Sequence, residues 1–113
     1  MKNHIDERDL DAKMILMGFR ENVSGTTMLR DAIGIWRPGM QFKELYAEVA
    51  RIHNSTPSQV ERNCRYAIAC AWDAAGPNST ANFIFGGSIY AHKGNPTVSE
   101  FVTRMARVCS LDD

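Results

Sequence analysis

Residues 41–75 contain two amphipathic helical patterns joined by a very short connection, and this pair constrains the fold more than any other feature of the sequence. In the first pattern, apolar side chains recur at the i, i+3, i+4, i+7 spacing of one helix face. Asn54 and Ser55 then separate a helix expected over residues 41–53 from a helix expected over residues 56–75. Two helices with so tight a turn are typical of a helix-turn-helix motif. The apolar face of the first helix is formed by Phe42, Leu45, Tyr46, Val49 and Ile52.

The second helix of this pair has clear signals at both ends. Thr56 is a favourable N-cap, Pro57 suits the first helical turn, and Gln59 completes the S/T-x-x-E/Q pattern of a capping box. Gly76 and Pro77 end the helix. On a helical wheel of 100° per residue, one stripe is apolar, and we expect it to be buried. This stripe consists of Val60, Cys64, Ala67, Ile68 and Ala71.

The opposite face of the second helix is polar where the helix begins. In a helix-turn-helix, the second helix enters the DNA major groove. There Arg forms hydrogen bonds with guanine, Gln forms them with adenine, and Glu accepts a hydrogen bond from cytosine. The pattern therefore indicates a DNA-reading surface, while a face that is merely charged and solvated remains the alternative. The polar face consists of Ser58, Arg62, Arg65 and Ala69, with Glu61 on one flank and Gln59 and Tyr66 on the other.

Turn signals divide the rest of the chain into segments that mostly carry the helical period. Asp9 or Asp11 is expected to cap the first helix, and Thr97 with Glu100 forms a capping box for the last. The sequence thus predicts an all-α domain of about six helices. The further helices are expected over residues 9–20, 26–36, 78–84 and 98–110, within a single domain at residues 10–113 that follows a polar tail at residues 1–9.

Length and composition exclude several classes of protein. A chain of 113 residues can bury a modest core as one domain. Its 13 basic and 13 acidic side chains give a net charge of zero, which argues against a protein that coats nucleic acid by bulk charge but not against a site-specific binder. No apolar run reaches the roughly 20 residues of a membrane helix, and the polar N-terminus is not a secretory signal, so we expect a cytoplasmic protein. No Cys or His spacing suits a metal and no catalytic arrangement is legible, so neither an enzyme nor a cofactor is expected.

The segment LYAEVARIHNSTPSQVERNCRYAIACAW closely resembles the DNA-binding effector domain of the master regulator of endospore formation, stage zero sporulation protein A. The family pattern there is a helix of type LYPDIAKKF, a turn NTT and a helix of type SRVERAIRHAIEVAW. The similarity covers roughly residues 10–111 in the same order. Further matches lie at residues 29–33, 84–86, 95–97, 99–101 and 105–106.

The resemblance implies a response-regulator effector-like domain of six helices, in which the fourth helix reads DNA to regulate transcription. By position, Glu61, Arg62 and Arg65 resemble the recognition-helix contacts. The family has a basic residue and a His where this chain has Gln59 and Tyr66, so we expect the preferred base sequence to differ there. The candidate base contacts are therefore Gln59, Glu61, Arg62, Arg65 and Tyr66.

Candidate contacts to the DNA backbone surround this helix. Basic side chains there would give a salt-sensitive affinity that does not depend on base sequence. His53 also admits a structural interpretation, because an imidazolium at the end of a helix interacts favourably with the helix dipole. The candidate backbone contacts are Ser58, Lys43, Arg51 and His53, together with His92 and Lys93 before the last helix, where the family also has basic residues.

The resemblance also implies partners. The family's domain binds short repeated DNA boxes as a tandem homodimer, touches the sigma subunit of RNA polymerase, and uses a helix similar to residues 98–110 for dimer contact. It also implies a bacterial, nucleoid-associated protein. The residues before the first helix are too few for the family's phosphorylated receiver domain, so control by phosphorylation is not expected. The competing hypothesis is a protein-interaction module that pairs with a full-length family member or with RNA polymerase and modulates it without binding DNA.

Overall fold

The computed structural model describes residues 5–74, 80–85 and 94–111, and six helices lie within these ranges. The predicted all-α class is confirmed. An isolated antiparallel bridge between Ile5 and Ser110 brings the two ends of the described chain together. The helices are α1 (Glu7–Leu16), α2 (Ser24–Ile35), α3 (Phe42–Ile52), α4 (Pro57–Ala74), α5 (Thr80–Phe85) and α6 (Val98–Val108).

The first helix begins two residues earlier than the sequence pattern indicated. Asp6 is its N-cap, and the Asp6 carboxylate accepts a hydrogen bond of 3.1 Å from the backbone N–H of Asp9. The carboxylate of Asp9 forms an ion pair with Lys13 one turn later. The prediction that Asp9 or Asp11 caps α1 was therefore wrong, because an earlier Asp in extended conformation is available for the same purpose.

Helix α4 packs against α2, α3 and α6, and its most extensive contact is with α2. Gly25 of α2 lies directly against the backbone of α4, where an ideal Cβ on Gly25 would be only 2.0 Å from the carbonyl oxygen of Asn63. The predicted apolar stripe of α4 is buried as expected. The orientation of α4 is thus determined by a backbone contact as well as by its apolar face.

Four aromatic side chains form a cluster in the core. The ring of Phe101 on α6 is fully buried and lies 5.3 Å from that of Phe19, 5.4 Å from that of Phe85 and 6.0 Å from that of Trp72 between centroids. The capping box of Thr97 and Glu100, which begins α6, is present as predicted. The cluster therefore links α4, α5 and α6, and Phe101 is at its centre.

The buried face of α3 is shorter than its apolar pattern. Leu45 and Val49 are fully buried, and Phe42 and Tyr46 are half-buried, but the side chain of Ile52 is 55% exposed. The helical period gives the direction of a side chain, but it does not tell how far the neighbouring helices extend along it. The apolar face of α3 therefore continues beyond the part of the helix that is buried.

The turn between α3 and α4 is held by a left-handed residue. Asn54 has a φ of 52°, and the N–H of Ser55 donates a hydrogen bond of 2.8 Å to the carbonyl oxygen of Ala50. This is the 6→1 bond of a Schellman motif, which ends α3 and reverses the chain within two residues. Thr56 then precedes α4 as its N-cap, and the Thr56 hydroxyl accepts a hydrogen bond of 3.2 Å from the backbone N–H of Gln59. Only this half of the predicted capping box is formed.

This geometry predicts a difference in stability between two substitutions at the turn. Asn54→Ala should lower the free energy of unfolding by about 1 kcal/mol relative to Asn54→Gly, because a left-handed conformation is costly for a residue with a Cβ and no local hydrogen-bonding group. Urea denaturation of both variants measures the difference. Equal stability of the Ala and Gly variants would contradict the motif.

Candidate nucleic-acid interface

An open groove of about 610 Å³ lies between the beginning of α3 and the beginning of α4. We call it the α3–α4 groove. Three of its lining residues are basic and one is acidic, so a chain with zero net charge presents a locally positive surface here. The groove is lined by Lys43, Tyr46 and Ala47 of α3 and by Pro57, Ser58, Glu61, Arg62 and Arg65 of α4.

The position of these side chains on α4 follows from the helical period. Glu61 and Arg62 each lie three or four residues from both Ser58 and Arg65, so all four side chains point to the same general side of the helix. They occupy its first three turns, and the positive end of the helix dipole at the first of these turns favours anions. The arrangement suits a polyanion that presents hydrogen-bonding groups.

The two arginines of the groove differ in their surroundings. The Arg65 guanidinium lies 3.6 Å from the Glu61 carboxylate, and both side chains are at least one-third exposed. Such an exposed pair contributes little and is easily opened. The guanidinium of Arg62 is exposed and has no hydrogen bond or ion pair with any residue that the structure describes. Its five N–H donors are free to bind a ligand.

Tyr46 is a groove residue that the sequence pattern placed only in the core. The ring is half-buried, and burial raises the pKa of its hydroxyl to about 12, with a further contribution from the nearby Glu61 carboxylate. The hydroxyl therefore stays protonated at neutral pH and can donate a hydrogen bond in the groove. The sequence could have indicated this position, because the apolar ring of a Tyr usually packs against the core while its hydroxyl reaches a polar partner.

Gln59 and Tyr66 lie on the neighbouring side of α4, outside the α3–α4 groove. Gln59 is half-buried, and its side-chain Nε2 donates a hydrogen bond of 3.0 Å to Oδ1 of Asn63. Tyr66 is 63% exposed and lines a second open groove of about 430 Å³ beside the α1–α2 connection. A hydrogen bond with Cys70 raises the pKa of the Tyr66 hydroxyl. The five candidate base contacts are thus divided between two sides of one helix.

The candidate backbone contacts are similarly divided. Lys43 and Ser58 line the α3–α4 groove, whereas Arg51 pairs with Glu48 at 2.5 Å. Nε2 of His53 lies 2.7 Å from Oδ2 of Asp31, a contact that joins the end of α3 to α2. His92 and Lys93 lie outside the described residues.

The described parts of the chain contain neither a cluster of metal ligands nor a membrane-spanning helix. Within residues 5–74, 80–85 and 94–111, no three His, Cys, Asp or Glu side chains are close enough to hold a metal ion. No helix in these ranges is long and apolar enough to cross a membrane.

A helix-turn-helix whose second helix begins at an open, basic and hydrogen-bonding groove defines a DNA-binding regulatory domain. Residues 11–108 match the family described as sporulation initiation factor Spo0A C terminal. The match covers most of the 113 residues, and the chain belongs to this family. The family is a DNA-binding effector domain that regulates transcription in sporulation, and it is not a class of enzymes.

Proposed function

We propose that this protein is a sequence-specific regulator of transcription that inserts the beginning of α4 into the major groove of double-stranded DNA. The observation that carries the proposal is the grouping of Glu61, Arg62 and Arg65 in one open groove at the start of the helix. The major groove is about 12 Å wide and admits an α-helix with its side chains. The first turns of α4 would then meet the edges of the base pairs.

Each of these three side chains has a base that suits its chemistry. The guanidinium of Arg62 is free to make two hydrogen bonds to O6 and N7 of a guanine. Arg65 can do the same once it separates from Glu61, which costs little because the pair is exposed. The carboxylate of Glu61 is then available to accept from the N4 amino group of a cytosine. DNA binding would thus exchange one internal ion pair for two base contacts.

Contacts to phosphate would set the register of α4 in the major groove of the DNA. Lys43 and Ser58 are exposed on the rim of the α3–α4 groove and suit this role. Arg51 is exposed and can exchange Glu48 for a phosphate, whereas His53 would have to leave Asp31. The zero net charge of the chain predicts weak non-specific affinity, so that most of the binding energy at a target would come from these local contacts.

The proposal extends to the partners and location that the family implies. These are tandem homodimers on repeated DNA boxes, a contact with the sigma subunit of RNA polymerase, and residence in the bacterial cytoplasm with the nucleoid. The apolar side of α6 is buried in its own core, including Val102 and Met105. A dimer contact of α6 would therefore use the opposite side, where Ser99 and Arg107 are exposed.

Selection of bound DNA from a random library tests the proposal directly. We expect a short enriched box, and binding to it that weakens steeply as salt concentration rises. Failure to enrich any sequence, together with binding that is insensitive to salt, would contradict the proposal. If the protein fails this test and instead co-elutes with a full-length family member, the function as a protein-interaction module is the better supported one.

Arg62→Ala should cost about 1–3 kcal/mol of binding free energy on the selected box and relax the preference at one base pair. Arg51→Ala should instead weaken binding to selected and scrambled DNA alike and reduce the salt slope by about 1. Arg8→Ala is the matched control, because Arg8 is exposed on α1 and does not line the groove. Fluorescence anisotropy on both DNAs measures all three. An equal, small effect of Arg62→Ala on selected and scrambled DNA would show that Arg62 does not read a base.

A further inference from the structure

Three side chains form a hydrogen-bonded chain that runs from the core to the exposed surface of α4. The side-chain nitrogen Nδ2 of Asn63 lies 3.7 Å from the sulfur of Met28, a buried residue of α2. The oxygen Oδ1 of the same Asn63 accepts a hydrogen bond of 3.0 Å from Nε2 of Gln59. Asn63 and Gln59 are one helical turn apart and are both half-buried.

The chemistry of Met28 determines which groups donate and which accept in this series of hydrogen bonds. A thioether sulfur accepts hydrogen bonds weakly and cannot donate, so the NH₂ group of Asn63 faces the sulfur. The carbonyl oxygen of Asn63 must then face Gln59, and Gln59 must offer its NH₂ group in return. The amide of Gln59 is thereby oriented with Nε2 towards Asn63, and no residue that the structure describes bonds to its Oε1 or to the second N–H of Nε2.

Backbone contacts also fix Asn63 and Gln59, the two residues of α4 in this series of hydrogen bonds. The carbonyl group of Asn63 lies against Gly25 at the closest approach of α2 and α4. The N–H of Gln59 donates to the hydroxyl of the N-cap residue Thr56. The Gln59 side chain is therefore held at both ends, at its backbone by Thr56 and at its amide by Asn63, in contrast to a long polar side chain that rotates freely on a surface.

We infer that Asn63 is a positioning residue that presents the amide of Gln59 to the edge of an adenine. The two groups that Asn63 leaves unused on Gln59, Oε1 and one N–H, are the pair that binds N6 and N7 of adenine in the major groove. Asn63 itself makes no base contact. The inference rests on the proposed function, and it assigns the choice of one base pair to the side of α4 outside the α3–α4 groove.

Base discrimination measured for four variants tests the inference. The variants are Gln59→Ala, Asn63→Ala, the double variant and Asn63→Asp, and each is titrated with the selected box and its single-base-pair changes. Gln59→Ala should remove the preference at one base pair. Asn63→Ala should reduce the preference at that same base pair roughly 2- to 10-fold, the equivalent of ordering one side chain. In the Gln59→Ala background, Asn63→Ala should have no further effect.

Asn63→Asp is the conservative control. An aspartate keeps an oxygen that accepts from Nε2 of Gln59 but adds a negative charge near the DNA. It should therefore weaken binding to all sequences while it keeps the ratio between the preferred base pair and the others. Asn63→Ala should remain folded, because Ala favours helix more than Asn does. In the free protein, ¹⁵N relaxation should show the Gln59 side-chain amide ordered in wild type and Asn63→Asp, and mobile in Asn63→Ala.

The outcomes separate this inference from the proposed function. A wild-type protein without any sequence preference would overturn both. A wild-type protein with a clear preference would overturn the inference alone in three cases. In the first, Asn63→Ala lowers affinity for all sequences equally, which is the effect of a structural residue. In the second, it changes a different base pair from Gln59→Ala, which would make Asn63 a base contact. In the third, Gln59→Ala leaves every preference intact.

Discussion

Gly25→Ala should lower the free energy of unfolding by about 2–3 kcal/mol, although alanine is the better helix former. The added methyl group would lie 2.0 Å from the carbonyl oxygen of Asn63 and 2.9 Å from the Cβ of Ala67. The first of these atoms belongs to the backbone of α4, so no rotation of a side chain can relieve the overlap. The gain of about 1 kcal/mol from helix propensity is smaller than the cost of separating two packed helices.

Gly34→Ala in the same helix is the matched control and should have the opposite sign. Apart from the adjoining backbone of α2, no heavy atom of the described residues lies within 4 Å of the position that its Cβ would take. Only the helix propensity remains, so the free energy of unfolding should rise by about 0.5–1 kcal/mol. Urea denaturation followed by circular dichroism measures both variants. If Gly25→Ala were as stable as Gly34→Ala, the close contact between α2 and α4 would be contradicted.

The Gly25 substitution should also affect DNA binding under the proposed function. The contact that it disturbs lies at Asn63, which is one turn from Gln59 and next to Arg62 on α4. A shift of α4 away from α2 would displace the groove-lining side chains relative to α3. Gly25→Ala should therefore lose affinity for the selected box even at temperatures where it is fully folded, whereas Gly34→Ala should retain it.

Phe101→Ala should lower the free energy of unfolding by about 3–5 kcal/mol, the usual cost of removing a fully buried aromatic ring. Phe101 is 0% exposed and its ring lies within 6.0 Å of the rings of Phe19, Phe85 and Trp72 between centroids. These neighbours are themselves large and cannot close the cavity that the substitution leaves. Because small domains have only about 5–15 kcal/mol of total stability, the variant should be close to unfolding.

Phe83→Ala on α5 is the control for this prediction. The ring of Phe83 is 89% exposed, so its removal should change stability by no more than about 0.5 kcal/mol. Thermal unfolding monitored by tryptophan fluorescence compares the two variants, since Trp72 contacts the Phe101 ring directly. A melting temperature for Phe101→Ala similar to that of Phe83→Ala would contradict the central place of Phe101 in the core.

The helices could be predicted from the sequence because their signals are local. The apolar stripe of α4, the Thr97 capping box and the short turn at Asn54 each depend on residues within one or two turns of one another. Ile52 continues the period of α3, yet its side chain is 55% exposed, because exposure depends on how far the neighbouring helices extend along α3. Asp6, by contrast, is a local signal that lies just before the apolar pattern of α1 and caps that helix.

The candidate interface was predicted in part for the same reason. The shared side of Glu61, Arg62 and Arg65 follows from their spacing on one helix, so the sequence sufficed to group them. The contribution of Tyr46 to the groove depends on how α3 is placed against α4. The partner of His53 is Asp31, 22 residues earlier in the chain, and no local pattern indicates such a contact.

The sequence by itself determined that this chain is an all-α domain with a helix-turn-helix, and which side chains face outward at the start of α4. These properties follow from periodicity and capping, which act over a few residues. Only the tertiary structure decided which of these side chains line the α3–α4 groove with residues of α3, and that Gln59 is held by Asn63. The physical reason is that the contact of Asn63 with Met28 and Gly25 joins residues 35 or more positions apart, and such contacts depend on the packing of whole helices.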